Sequence, residues 1–178
     1  MVSILYAHAR SNYKKYPDLQ VYDEARDALS FSGSDVIIAH PPCRLYSKMR
    51  AFSTAPEFEK IYAYHALKII RLNGGILEHP CSSLFFKEAN LPLPGSTDAF
   101  GGFTISVNQG WFGYYTEKRT RLYIVGCSIK DLPRLPFNFS PYTRKFDNLT
   151  RKQRSETVDN FIEWLLQVAY IINSKKNG

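Results

Sequence analysis

Cys43 follows Pro41-Pro42 at the end of the apolar run Val36 to Ala39. A thiol set on such a turn can project into a cleft, where its thiolate acts as a nucleophile. A lone cysteine is otherwise a small buried hydrophobe, and the residue alone does not choose between the two. Glu78 ends a second apolar run, Gly75 to Glu78, just before His79-Pro80. A carboxylate there serves acid–base chemistry or caps a backbone donor. Arg119 and Arg121 alternate, so on a strand they share one face and can contact a phosphate or a base edge. The same alternation also guards an exposed edge strand.

The elements that position these residues are short. Val2 to Ala7, Leu19 to Tyr22 and Asp35 to Ala39 read as strands, the third apolar throughout and so buried on both faces. Ser53-Thr54-Ala55-Pro56 offers the start of a helix, and Phe58, Tyr62, Ala66 and Ile69-Ile70 keep helical spacing up to a stop at Asn73-Gly74. Gly75 to Glu78 is expected to be a strand halted by His79-Pro80, and residues 81–102 a loop. Phe103 to Val107 and Arg121 to Val125 read as two further strands. Phe161, Trp164, Leu165, Val168 and Ile172 form the apolar stripe of a last helix. Strands alternating with helices predict an α/β sheet with helices on its faces. Ligands in such sheets sit beyond the carboxyl ends of the strands, here Ala7–Arg10, His40–Arg44 and Glu78–Cys81.

The chain has 178 residues, expected to form one domain over 1–178. Its net charge of +7 is concentrated: residues 114–154 hold ten Lys and Arg against three acidic residues. Tyr114, Tyr115, Tyr123, Phe137, Phe139, Tyr142 and Phe146 lie between these cations. That mixture suits a polyanion with stackable bases, DNA or a nucleotide, although a solvated basic face has the same composition. Cys43, Cys81 and Cys127 are too few and too scattered for a disulfide framework or a zinc site, so no metal is expected and a reducing, cytoplasmic setting fits. No apolar run approaches a membrane span, and the first residues carry no signal-peptide pattern.

Taken together, the site segments resemble a known family. Asp35-Val36-Ile37-Ile38-Ala39-His40-Pro41-Pro42-Cys43, with Tyr46-Ser47 after it, is similar to the Pro-Cys motif of DNA (cytosine-5) methyltransferases. Leu77-Glu78-His79-Pro80 resembles their Glu-Asn-Val motif, with His79 and Pro80 replacing its last two residues. Glu117-Lys118-Arg119-Thr120-Arg121 resembles Gln-x-Arg-x-Arg, with Glu117 in place of glutamine. The resemblance implies a compact Rossmann-like methyltransferase sheet with flanking helices. It implies that Cys43 attacks carbon 6 of a pyrimidine, that Glu78 contacts ring nitrogen 3, and that Arg119 or Arg121 meets the developing charge. Pro42, Arg44, Ser47, His79, Gln109 and Trp111 are then expected around the substrate, with Trp111 or Phe112 stacking on the base or plugging the core.

The resemblance also implies S-adenosylmethionine, held by Tyr6, His8, Arg10 and Asp23. His8 and Arg10 stand where the family has glycines, and are suited to a phosphate instead. The stretch from Asp23 to Asp35 is too short for the extra strand–helix unit of the family, and the residues after Gly126 are too few for its target-recognition domain. The expected activity is thus modification of a pyrimidine at carbon 5 through a cysteine adduct, on DNA or a nucleotide. The alternative is a non-catalytic nucleic-acid-binding relic of the fold, such as a phage DNA-protection or modulation protein. A nucleotide hydrolase or glycosyl-transfer enzyme using Glu78 or Asp23 is a third reading.

Overall fold

A computed structural model describes residues 1–23, 25–47, 50–145 and 148–178, with only the backbone of Arg151 and Lys152. Phe146 and Asp147 of the basic segment therefore lie outside the described residues, as do the side chains of Arg151 and Lys152.

The chain forms an α/β structure on a six-stranded mixed sheet. The strands are β1 (Val2–Leu5), β2 (Leu19–Val21), β3 (Val36–Ala39), β4 (Gly75–Pro80), β5 (Phe103–Asn108) and β6 (Arg119–Val125). Their order is β2-β1-β3-β4-β6-β5, with the first four parallel and β6 antiparallel to both its neighbours. The helices are α1 (Lys60–Asn73), α2 (Phe85–Glu88), α3 (Arg151–Ser155) and α4 (Asp159–Asn177).

The central strands are apolar in sequence because helices cover both faces. Ile37, Ala39, Leu77 and Tyr123 join Ala63, Ala66, Leu67 and Ile70 of α1 on one side. Ile4, Ile38, Ile76 and Ile124 join Phe161, Leu165, Val168 and Ile172 of α4 on the other. Full burial of each such side chain contributes about 1.5–3 kcal/mol against exposure. Helix α1 ends at Gly74, as its sequence predicts, with the Gly74 N–H bonded to Ile70 O. A Cβ at the next residue, Gly75, would lie 2.2 Å from Ile37 O, so only glycine lets β4 enter beside β3.

Several boundaries differ from the sequence reading. Strand β1 stops at Leu5 because Tyr6 turns into the left-handed region at φ 61°. The helix expected from Ser53–Pro56 begins as α1 at Lys60, after one 3-10 turn at Glu57–Glu59, and the Ser53 hydroxyl caps Ala55 N instead. His79-Pro80 does not halt β4, since Arg121 and Thr120 of β6 continue the pairing. The loop at 81–102 contains α2, and β6 begins two residues earlier than expected. Among the described residues between β2 and β3 stands a 3-10 turn, Ala28–Ser30, in place of a strand–helix unit.

Candidate functional site

The chain leaves β1 toward β2 on one side and returns to β3 on the other, so the carboxyl ends of β1 and β3 part at a topological switch point. A cleft of about 890 Å³ opens there. Tyr6, Ala7, His8 and Arg10 form its first wall, and His40 to Arg44 its second. Glu78 and Lys118 lie at its back, and Arg154 to Thr157 close it from the far end of the chain.

Two neighbouring residues of β4 fix the Cys43 turn from opposite sides. Glu78 accepts a hydrogen bond from His40 Nδ1 at 3.0 Å, and His40 Nε2 accepts from the buried Tyr13 hydroxyl at 2.9 Å. This assignment follows from an ionised carboxylate being an acceptor only. On the other face, His79 Nε2 donates to Pro41 O at 3.0 Å and its Nδ1 accepts from Ser83 Oγ at 2.9 Å. Burial holds the His79 imidazole neutral, with its pKa pushed down to about 4. Both ring nitrogens are engaged, so His79 braces the turn and has no free nitrogen for a substrate.

The electrostatics of the cleft are set by three groups. Burial pushes the Glu78 carboxyl up, but the hydrogen bond from His40, with Lys118 nearby, outweighs it and leaves the pKa below the ordinary value. Burial and the Glu78 charge push the Cys43 thiol above its ordinary value, while Lys118 and Arg44 oppose that rise. Burial lowers the Lys118 pKa against the pull of Glu78, Cys43 and Glu156. Lys118 Nζ donates to Glu156 O at 2.7 Å and lies 4.8 Å over the Tyr114 ring. The cleft therefore holds a thiol, a carboxylate with a Tyr–His relay behind it, and an ammonium.

Cys43, Pro42 and Glu78 come together as the sequence predicts, and Tyr6, His8, Arg10, Asp23, Arg44 and His79 line the same cleft. Arg44 reaches it while paired through Nε and Nη2 with Glu59, both at 2.7 Å. The arginine pair does not join them. The register sets Glu78 opposite Leu122 and His79 opposite Arg121, so Arg121 is on the face away from Glu78, 5.2 Å over the Phe86 ring. Arg119 is exposed and bonded to Glu117 at 2.8 Å. Lys118, one residue earlier in the alternation, takes the position expected of them.

Gln109 and Trp111 are also elsewhere, on the β5–β6 connection. Gln109 is buried, donating to Thr120 Oγ1 at 2.9 Å. Trp111 packs 5.1 Å from Phe137, and Phe112 plugs the core 4.9 Å from Phe161. Ser47 turns back on Arg44 O at 3.3 Å. Asp23 spends both oxygens locally: one accepts Ala25 N at 2.9 Å and Arg26 N at 3.2 Å, and the other pairs with Lys14. Its 6% exposed side chain is a turn cap. Tyr6 Oη lies 2.8 Å from His65 Nδ1.

Tyr13 and Lys118 are site residues that the sequence does not single out, and His40 stands in the candidate segment His40–Arg44 without a role of its own. His40 carried a signal, directly before Pro41-Pro42 at a strand end. Tyr13 lies in a single 3-10 turn, Asn12–Lys15, too short for a periodicity to mark it.

No group of three or more His, Cys, Asp or Glu among the described residues is placed to hold a metal ion. No helix among them is long and apolar enough to cross a membrane. Compared with models of known protein families and with curated proteins, the chain matches none.

Proposed function

We propose that the protein activates carbon 5 of pyrimidine bases through reversible addition of Cys43, with exchange of the carbon-5 hydrogen as the reaction its own residues complete. The observation that carries this reading is that Cys43, Glu78 and Lys118 line one cleft at the carboxyl ends of β1, β3 and β4. The sheet is compatible with the Rossmann-like core that the sequence resemblance implies.

Carbon 5 of a pyrimidine is a weak nucleophile until a thiolate adds at carbon 6. In the proposed step Cys43 loses its proton, Sγ bonds carbon 6, and the electron pair of the C5=C6 bond moves toward carbon 5. Carbon 5 then takes a proton, so the net event is addition of S–H across the double bond. Loss of the carbon-5 proton and of Sγ restores the base. Glu78, anionic and tied to His40, accepts an N–H from ring position 3 or from an exocyclic amine. Lys118 stabilises negative charge on the thiolate and on the ring. A reducing, cytoplasmic setting keeps Cys43 free for this chemistry.

The residues after β1 do not fit S-adenosylmethionine. Asp23 already caps Ala25 N and Arg26 N and pairs with Lys14, and the exposed side chains of His8 and Arg10 stand where a close backbone approach is needed. The mechanism therefore takes no step through that cofactor.

The test is intact-protein mass after incubation with 5-fluoro- and 5-aza-pyrimidines, as nucleotides and in oligonucleotides. A mass increase lost in Cys43→Ala is expected, as is carbon-5 hydrogen exchange of unsubstituted pyrimidines in heavy water. Neither signal with any probe would overturn the reading. A second reading, a non-catalytic polynucleotide-binding protein, draws support from the raised thiol pKa, which keeps Cys43 protonated at neutral pH. Oligonucleotide binding unchanged by Cys43→Ala, with no adduct, would establish it.

A further inference from the structure

The basic segment read from the sequence divides in two in the fold. Tyr114 and Tyr123 are buried and belong to the scaffold. Phe137, Phe139 and Tyr142 are instead 51%, 79% and 48% exposed. Phe137 and Phe139 form a row with the half-buried Trp111: Trp111 lies 5.1 Å from Phe137, and Phe137 stacks on Phe139 at 6.3 Å with 16° between the ring planes. Phe137 keeps this pose at φ 42°, a backbone region costly for an aromatic residue.

The row is anchored at both ends. Trp164 Nε1 donates to Pro133 O at 3.2 Å, tying its start to α4. Thr143 N and Arg144 N both donate to Tyr115 O at 3.1 Å, and Asn108 Nδ2 donates to Tyr142 Oη at 2.7 Å. Arg134, Arg144 and Lys145 flank the rings in sequence, all exposed and none in an ion pair among the described residues, with Arg144 lying 5.2 Å over the Tyr115 ring.

The row also stands at the cleft end of the sheet. Trp111 is on the connection that leaves β5 at Asn108 and enters β6 at Arg119, and those residues pair with each other. Thr120, next in β6, pairs with Pro80 at the carboxyl end of β4. Lys118, which reaches into the cleft, closes the same connection.

We infer that the Trp111–Phe137–Phe139 row, with Arg134, Arg144 and Lys145 around it, is a stacking platform for a single-stranded polynucleotide. Exposed rings offer π-faces to successive unpaired bases, and unpaired cations follow the phosphates. A duplex hides those faces inside its own stack. The platform deepens the proposed function by naming its substrate as a pyrimidine within a single strand, and only the choice of a pyrimidine-rich probe rests on that reading.

The test is fluorescence anisotropy with a dye-labelled, pyrimidine-rich single-stranded DNA, its RNA counterpart and the DNA duplex. The protein carries Cys43→Ala, so that binding is read without adduct formation. Phe139→Ala and the double variant Phe137→Ala/Phe139→Ala are compared with Phe52→Ala, an equally exposed aromatic 80% open to solvent outside this segment. Melting curves confirm that each variant is folded. The expected result is about tenfold or greater loss of single-strand affinity in the Phe139 variants, with Phe52→Ala unchanged. Preference for DNA or RNA identifies the strand. Equal affinity in all variants, parallel loss in Phe52→Ala, or tighter binding of the duplex would overturn the inference. With Cys43 present, Phe139→Ala still forms the mononucleotide adduct if the proposed chemistry is right, so the two readings fail separately.

Discussion

Arg121 stands directly opposite His79 across the β4–β6 pair, and this fixes which cation can serve the cleft. Paired residues share a face, and His79 points away from Glu78. Arg121 is thereby committed to Phe86, while Lys118 shares the Glu78 side.

The first prediction follows from that register. Lys118→Met is expected to slow Cys43 adduct formation by about a hundredfold to a thousandfold, the range for loss of one charge-stabilising donor. Arg121→Met is expected to leave the rate within about threefold. Initial rates of adduct formation by mass spectrometry check both. Equal loss in the two variants would return the role to the arginine.

The second concerns pH. Burial and the Glu78 charge raise the Cys43 thiol pKa, so the thiolate fraction grows as pH rises toward and beyond the ordinary thiol value. Adduct formation should climb steadily through neutral pH and show no plateau there. Replacing Glu78 by Gln removes one cause of the rise and shifts the alkylation profile of Cys43 to lower pH. Iodoacetamide labelling resolved by peptide mapping separates Cys43 from Cys127, whose thiol burial pushes up to about 11.

The third concerns the base. An anionic Glu78 accepts hydrogen bonds and cannot donate to an unprotonated ring nitrogen. Uracil carries N–H at position 3 and cytosine does not. Trapping by 5-fluorouracil nucleotides is therefore expected to exceed trapping by 5-fluorocytosine nucleotides at neutral pH. Glu78→Gln, which can donate, is expected to narrow the ratio by about tenfold, one bidirectional hydrogen bond's worth of discrimination. An unchanged ratio would remove Glu78 from base recognition.

The fourth concerns stability. The His79 pKa falls from 6.5 to about 4 on folding, because the neutral ring is buried. Between those values the unfolded chain binds the proton and the folded one does not, so stability is lost as pH falls through this window. The loss is on the order of 3 kcal/mol for a group 1% exposed. Urea midpoints measured against pH should show that slope, and His79→Gln should flatten it, leaving the smaller share due to His65, whose pKa is also lowered by burial.

Much of the scaffold is legible in the residues. Ile37 and Ile38 announce a strand covered on both faces, and the apolar stripe from Phe161 to Ile172 announces α4. Cys43 and Glu78 are legible because each lies beside prolines that follow an apolar run at the sheet's carboxyl edge. Lys118 is not, since cations occupy both phases of Glu117–Arg121, and only pairing with β4 selects one. Tyr13 is invisible for a different reason: it reaches His40 from a single 3-10 turn, through packing alone. The exposed stack of Phe137 and Phe139 was visible only as composition, because exposure is a property of the folded surface.

The cleft is walled by Ala7 to Tyr13 at one end of the chain and by Arg154 to Thr157 at the other. The Lys15–Asp159 pair, at 2.8 Å, joins segments 144 residues apart just beside it. During synthesis, then, Cys43 and Glu78 leave the ribosome long before their enclosure exists. The strands β1 to β4 can assemble around a half-built groove, open to water and without its far wall. Only when α4 emerges and docks on β1, β3 and β4 is the groove closed. Enclosure of the Cys43 thiol is thus coupled to docking of α4: a translation product lacking α4 would carry the thiol in a groove without its Arg154–Thr157 wall.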